Sequence, residues 1–247
     1  MKDTQKTFLA HLTELRRRLI VILVCNLGAA AACFVWVRPI MERLLQMGSG
    51  YNLVYLAPSE LLTVYVEVAV VCGVALALPV TLFEVWMFVA SGLYRREKIA
   101  LACTLGFASL FFALGVWFGA RVALPFMLAF FLNITMEGIA PMISVAEFLS
   151  FVLTFLLSFG VVFEMPVAAG LLTGVGLLRP GAIRRHQPVI ILVIFIVAAA
   201  LTPPDVASQM MMALPMCALL QLSIGVCWVV ARRREKRLAA RAAQTTT

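Results

Sequence analysis

The chain has 247 residues, 63% of them hydrophobic and 13% charged, with 20 Lys and Arg against 12 Asp and Glu for a net charge of +8. Its mean hydropathy is +1.03 and its pI about 9.6. Soluble domains sit near 45–50% apolar and about 25% charged, so this composition leaves too little polar surface to cover a globule in water, and it excludes a soluble nucleic-acid binder despite the basic balance.

The first element is "FLAHLTELRRRL", in which Phe8, Leu12, Leu15 and Leu19 recur every three or four positions. That spacing predicts an amphipathic helix over residues 1–18, lying on the membrane surface and leading into a first span at 19–37. Glu14 and Arg18 stand in the favourable i,i+4 order, a surface pair worth about 0.2–0.5 kcal/mol. A competing reading makes residues 16–32 a cleaved secretory signal, with a basic start, an apolar run and an alanine-rich end. Its loss would leave an odd number of spans.

The second span is expected at 61–91. Pro79 in its interior removes a helix hydrogen bond and predicts a kink, and Trp86, Phe88 and Tyr94 mark the interfacial aromatic belt. After the charged turn "YRREK", Glu97 reads as a first-turn carboxylate favoured by the dipole of the third helix, at 99–131. The fourth span, 148–178, holds the stretch "LSFGVVFEMPVAAGLL", where Glu164 is apolar on both sides and Pro166 follows two residues later. A carboxylate at membrane depth costs about 2.5–3.5 kcal/mol on insertion scales and faces protein or a wet cavity. Pro166 frees a backbone carbonyl one turn before it, and a bent helix would present Glu164 on a concave, hydrated face. The alternative is a protonated glutamate bonded to a neighbouring helix. "GLLTG", Gly170 to Gly174, fits close helix packing.

The fifth apolar run, 188–201, is about 21 Å long at the helical rise, short of a full crossing of a core about 30 Å thick. It is expected to form a short hairpin with the sixth span, 206–231. Between them "LTPPDVASQ" carries Pro203 and Pro204, which stop one helix, and Asp205, placed to cap the next. A basic tail follows at 232–247.

Six spans put both termini on one side. The basic residues gather at the amino terminus, around Arg95 and Arg96, around Arg184 and Arg185, and in the tail; only Arg38, Arg43 and Arg121 fall elsewhere. This asymmetry predicts cytoplasmic termini. The six cysteines all lie in apolar runs without a Cys-x-x-Cys pair, and His11 and His186 are far apart in sequence, so buried thiols are expected, with no metal site and no cofactor.

In order along the chain, "HLTELRRRL", "LPVTLFEVWMFV", "GLYRREK", "FLSFVLTFLLSFGVVFEMPV" and "LTPPDVASQMMMALP" resemble the TatC family, the multispanning receptor subunit of the twin-arginine protein translocase. The resemblance runs from His11 to about Ile224. It implies an all-α membrane protein of six transmembrane helices in a cupped, concave bundle, seated in the bacterial cytoplasmic (inner) membrane. It also implies a receptor rather than an enzyme. Such a receptor binds the twin-arginine signal peptides of folded cargo at its cytoplasmic face and assembles with itself and with TatA-type and TatB-type single-span subunits. Transport is driven by the proton motive force.

Carried over by position, the resemblance makes Glu14, Arg16, Phe88 and Glu97 signal-peptide positions. Glu164, with Pro166 and Pro79, would form a membrane pocket, and Pro203, Pro204, Asp205 and Gln209 a periplasmic turn. Carboxylates suit the ligand, because a guanidinium fork meets a carboxylate bidentately where an ammonium does not. Glu67 stands where relatives often carry a basic residue, Glu84 where they often carry an amide, and Gln221 where they often carry a glutamate. No His-Glu-x-x-His, Gly-x-Ser-x-Gly or phosphate-binding loop is present, which argues against an intramembrane enzyme. The rival reading is a secondary transporter or channel that conducts ions or protons past Glu67, Glu84 and Glu164.

Overall fold

The computed structural model describes residues 2–89, 95–134, 142–202 and 206–245, and among these the side chains of all but 2–11, 58, 89, 95–105, 133–134, 207 and 237–245. Helix α1 (Lys2–Val35) runs unbroken from the polar amino terminus through the first apolar run. After Trp36 the short helix α2 (Val37–Gln46) follows, then strand β1 (Asn52–Val54) and helix α3 (Pro58–Val89). Helix α4 (Arg95–Phe118) passes through a π-helical turn (Gly119–Ala123) into α5 (Leu124–Ile134). Strand β2 (Met142–Ser144) precedes α6 (Val145–Phe163) and α7 (Met165–Val175), and α8 (Pro180–Arg185), α9 (Gln187–Leu201) and α10 (Val206–Thr245) complete the chain.

Among the described residues, five segments are long and apolar enough to cross a membrane: Leu12–Val35, Ser59–Phe88, Gly106–Leu132, Val145–Val175 and Ser208–Lys236. Gln187–Leu201 is a sixth, shorter apolar helix. These correspond to the six expected runs. Leu23, Val24 and Leu27 on α1 and Leu192, Val193 and Ile196 on α9 are exposed, which suits a hydrocarbon surround and not water.

The prolines act differently by position. α3 continues through Pro79 and α10 through Pro215. At Pro166 the fourth run breaks in two, α6 ending at Phe163 and α7 beginning at Met165, with Glu164 in the turn between. Pro166 has no N–H to offer the preceding turn, and a proline is best tolerated at the start of a helix, so the chain restarts there. The π-helical turn has a related cause. The Leu124 N–H bonds the Gly119 carbonyl five residues back, and Pro125 supplies no donor to restore the α pattern.

The chain divides into two compact units. The first comprises Met1–Ser109 with Phe131–Leu157. Here α1 packs along α3, and at Gly73 the backbones come so near that a Cβ would stand 2.5 Å from the Ala30 backbone. Asn26 Nδ2 donates to Thr81 Oγ1 of α3 at 3.0 Å and to the Ile22 carbonyl of its own helix at 2.8 Å, so both of its N–H groups are used. Strands β1 and β2 pair in parallel, Leu53 opposite Ile143. Glu60, in the first turn of α3, fastens this pairing. Its Oε2 accepts from the N–H groups of Leu56 (2.7 Å) and Ala57 (3.3 Å), while its Oε1 accepts from the Ala146 N–H (2.9 Å) and the Ser144 hydroxyl. The Ser144 oxygen also accepts from the Ala146 N–H and so caps α6. The core of this unit includes Val64, Val68, Phe148, Leu149 and Val152.

The second unit comprises Leu110–Phe130 with Ser158–Thr247. Helices α7, α8 and α9 all pack on α10. Gly170 lets α7 approach α10, for a Cβ there would lie 2.9 Å from Val226 Cγ1. Phe118 lies 5.7 Å from Phe159 and 5.6 Å from Phe163, ring centre to ring centre. Gly176 ends α7 at φ +88°, its N–H bonding the Leu172 and Thr173 carbonyls, the left-handed helix stop that glycine adopts without steric cost.

Candidate functional site

In the first unit an open cleft of about 720 Å³ lies between the amino-terminal half of α1 and the carboxy-terminal part of α3. Its α1 wall carries Thr13, Glu14, Arg17 and Arg18, one helical turn apart in pairs, with Val21 below them. Its α3 wall carries Phe83, Glu84 and Met87, again at helical spacing. The apolar floor lowers the local dielectric and strengthens any ion pair placed over it.

One guanidinium ties the walls together. Arg18 Nη2 and Nε donate to Glu14 Oε1 at 2.6 and 3.1 Å, and Arg18 Nη1 donates to Glu84 Oε2 at 3.0 Å. The side chains of Arg18 and Glu84 are each only 16% exposed and that of Glu14 33%, so this is a half-buried network and not a solvated surface pair. Arg16, two residues from both Glu14 and Arg18, is exposed. Phe88 is half-buried near the end of α3, next to cleft-lining Met87.

The remaining expected positions distribute as follows. Glu97 lies in the first turn of α4, and its side chain is outside the described residues. In the second unit Glu164 occupies the turn between α6 and α7, and its Oε1 is buried with no hydrogen-bond partner among the described residues. Pro166 beside it is buried, whereas Pro79, in the other unit, is exposed. Pro203, Pro204 and Asp205 lie outside the described residues. Gln209 has an intramolecular role, since its Nε2 donates to the Phe195 carbonyl at 3.0 Å and binds α10 to α9. The five described cysteines, Cys25, Cys33, Cys72, Cys217 and Cys227, are free thiols.

Sequence reasoning found the Glu14–Arg18 pair but missed its third member. An available signal was the position of Glu84 in an apolar run, where a carboxylate calls for a cation on a neighbouring helix. The Glu60–Ser144 contact was also missed; "SVAE", with its Ser-x-x-Glu spacing, marks Ser144 as the cap of α6 but points to Glu147 and carries no signal for Glu60.

This fold and these carboxylates define a polytopic helical membrane protein whose first unit holds a cleft in which Glu14 and Glu84 share the guanidinium of Arg18. The family model described as Sec-independent protein translocase protein (TatC) matches residues 10–215. Among relatives, "Sec-independent protein translocase protein TatC" of Azotobacter chroococcum mcd 1 is 36% identical over 235 residues, covering 90% of this chain and 89% of that protein. The protein of the same description from Escherichia coli (strain K12) is 33% identical over 232 residues, covering 91% and 88%. A solved structure, described as the crystal structure of twin arginine translocase receptor TatC, superposes with a TM-score of 0.81 at 31% identity over 89% of this chain and 99% of that one. The chain belongs to the TatC family of Sec-independent protein translocase proteins.

Proposed function

We propose that the chain is the receptor subunit of a twin-arginine translocation system in a bacterial cytoplasmic membrane, with both termini in the cytoplasm. It binds the twin-arginine signal peptides of folded cargo and assembles with further copies of itself and with TatA-type and TatB-type single-span subunits for export driven by the proton motive force. The observation that carries this reading is the Glu14 carboxylate, already engaged with a guanidinium in a cleft of a chain whose solved relative is described as a twin-arginine translocase receptor. Glu14 and Glu97 bind the two arginines of the signal, flanked by Arg16 and Phe88. The neighbourhoods of Glu164 with Pro166, and of Pro79, receive the apolar part of the signal or a partner's span. Pro203, Pro204, Asp205 and Gln209 form the periplasmic turn.

The chemistry favours arginine over lysine. A guanidinium presents parallel N–H groups to a carboxylate, while an ammonium is a more strongly hydrated point charge. The same cleft carries Arg17 and Arg18, so binding is expected to weaken with salt. An ion pathway through Glu67, Glu84 and Glu164 is less well supported, because the Glu84 carboxylate is held by Arg18.

The test is binding of a twin-arginine signal peptide, against its twin-lysine version, to the protein in nanodiscs. The arginine peptide is expected to bind about tenfold more tightly or better, and Glu14→Gln and Glu97→Gln each to abolish that preference, consistent with the loss of a charge-assisted hydrogen bond. Equal binding of both peptides to the unmodified protein would overturn the assignment.

A further inference from the structure

The Arg18 guanidinium makes three hydrogen bonds to carboxylates of two helices, and it does so inside the cleft that the receptor reading assigns to an incoming arginine. The two walls place carboxylates so that one planar guanidinium spans them, Nε and Nη2 toward Glu14 and Nη1 toward Glu84. Two N–H groups converge on one Glu14 oxygen while a third reaches Glu84, a span that suits a planar group with several fixed donors better than a point-charge ammonium. A positive side chain that stays on Glu14 also denies it to any other cation. We propose that Glu84 is the second carboxylate of the arginine-receiving cleft and that Arg18 is its resident occupant, which an incoming guanidinium must displace from Glu14. The ligand class is therefore an alkylguanidinium, presented by the arginine of a peptide. The part of this inference that concerns peptide binding rests on the receptor reading; the guanidinium seat itself does not.

Charge favours exchange over simple addition. Glu14 and Glu84 supply two negative charges, and Arg18 with neighbouring Arg17 supplies two positive ones within the same cleft. A further guanidinium would enter a locally balanced site, so it gains most when Arg18 swings away. Arg18 can leave Glu14 while it keeps its bond to Glu84, or leave both. A glutamine at position 84 would remove the charge that makes the seat two-sided.

Chemical rescue tests this with a readout independent of signal peptides. Arg18→Ala is expected to lower the thermal midpoint of the purified protein, and ethylguanidinium to restore it where ethylammonium at equal concentration does not. In Arg18→Ala with Glu84→Gln the rescue is expected to vanish. If Arg18→Ala does not fold, Arg18→Gln replaces it, keeping an amide donor toward Glu84, and the same probes are applied. The second measurement is twin-arginine peptide binding: Arg18→Gln is expected to bind about tenfold more tightly than the unmodified protein, a gain lost on adding Glu84→Gln.

Failure of ethylguanidinium to exceed ethylammonium, or rescue that survives Glu84→Gln, overturns the two-carboxylate seat. Peptide affinity unchanged or lowered in Arg18→Gln overturns the occupant role and leaves Arg18 a tether between α1 and α3. Rescue that depends on Glu84, in a protein that does not distinguish the arginine peptide from the lysine peptide, upholds the seat and overturns the receptor reading alone.

Discussion

Two glutamates on α3 show how one residue type serves opposite ends. Glu84 neutralises a cation from α1, whereas Glu60, among the described residues, accepts from neutral donors: the amides of Leu56, Ala57 and Ala146 and the Ser144 hydroxyl. A carboxylate with several such donors joins segments that a two-stranded pairing of three residues each could not hold alone. Glu60→Ala is therefore expected to leave the Leu56 and Ala57 amides without this acceptor and Ala146 with only the Ser144 oxygen. Hydrogen exchange measured by mass spectrometry should become faster at 52–57 and at 142–147, with little change in the helices that follow. Unaltered exchange in both segments would show that the strands and the helix caps suffice.

At the scale of elements, the α1–α3 pair depends on a close approach of two backbones. The space that a Cβ at Gly73 would need is taken by the main chain of Ala30, which cannot rotate aside as a side chain can. Small residues at such crossings are what allow membrane helices to gain packing contacts in the absence of a strong hydrophobic drive. Gly73→Val is expected to push the helices apart and to cost about 1–3 kcal/mol, read as a lower thermal midpoint in detergent. The same displacement would move Arg18 relative to Glu84, so the variant is also expected to weaken arginine-dependent peptide binding. Unchanged stability and binding would mean that α1 and α3 are held elsewhere. The α6–α7 break works differently. It comes from a missing donor at Pro166 rather than from crowding, and it leaves Glu164 at the joint between two helices.

At the scale of the whole molecule, the controlling quantity is the placement of charge along an apolar chain. The basic residues flank the even-numbered connections and the two ends, and the tail continues α10 as a helix beyond its apolar part, with Arg232 5.7 Å from the Trp228 ring centre in a cation–π contact. That combination of aromatic ring and guanidinium belongs at a membrane interface. Single cysteines added at residue 2 and at residue 245, in a background with the native cysteines replaced, are expected to react with a membrane-impermeant maleimide only from the cytoplasmic side. Labelling of the two ends from opposite sides would require an odd number of crossings.

How much could be read without coordinates differs by level. The six apolar runs and the shortness of the fifth were legible, because they follow from length against bilayer thickness; the missing donor at Pro166 predicted a bend where the chain in fact breaks into two helices, and the kink expected at Pro79 leaves α3 a single helix. The chain alone also determined the Glu14–Arg18 pair, since helical spacing settles which residues share a face. It did not bring out α2, although Val37, Met41 and Leu44 stand at helical spacing and are its buried face, nor the β1–β2 pairing, which joins three-residue strands about 90 positions apart. Nor did it reveal the partners of Glu60 and Glu84, or the use of Gln209 to bind α10 to α9. Those are contacts between helices or loops distant in sequence, and only tertiary packing decides which polar group in an apolar run meets which.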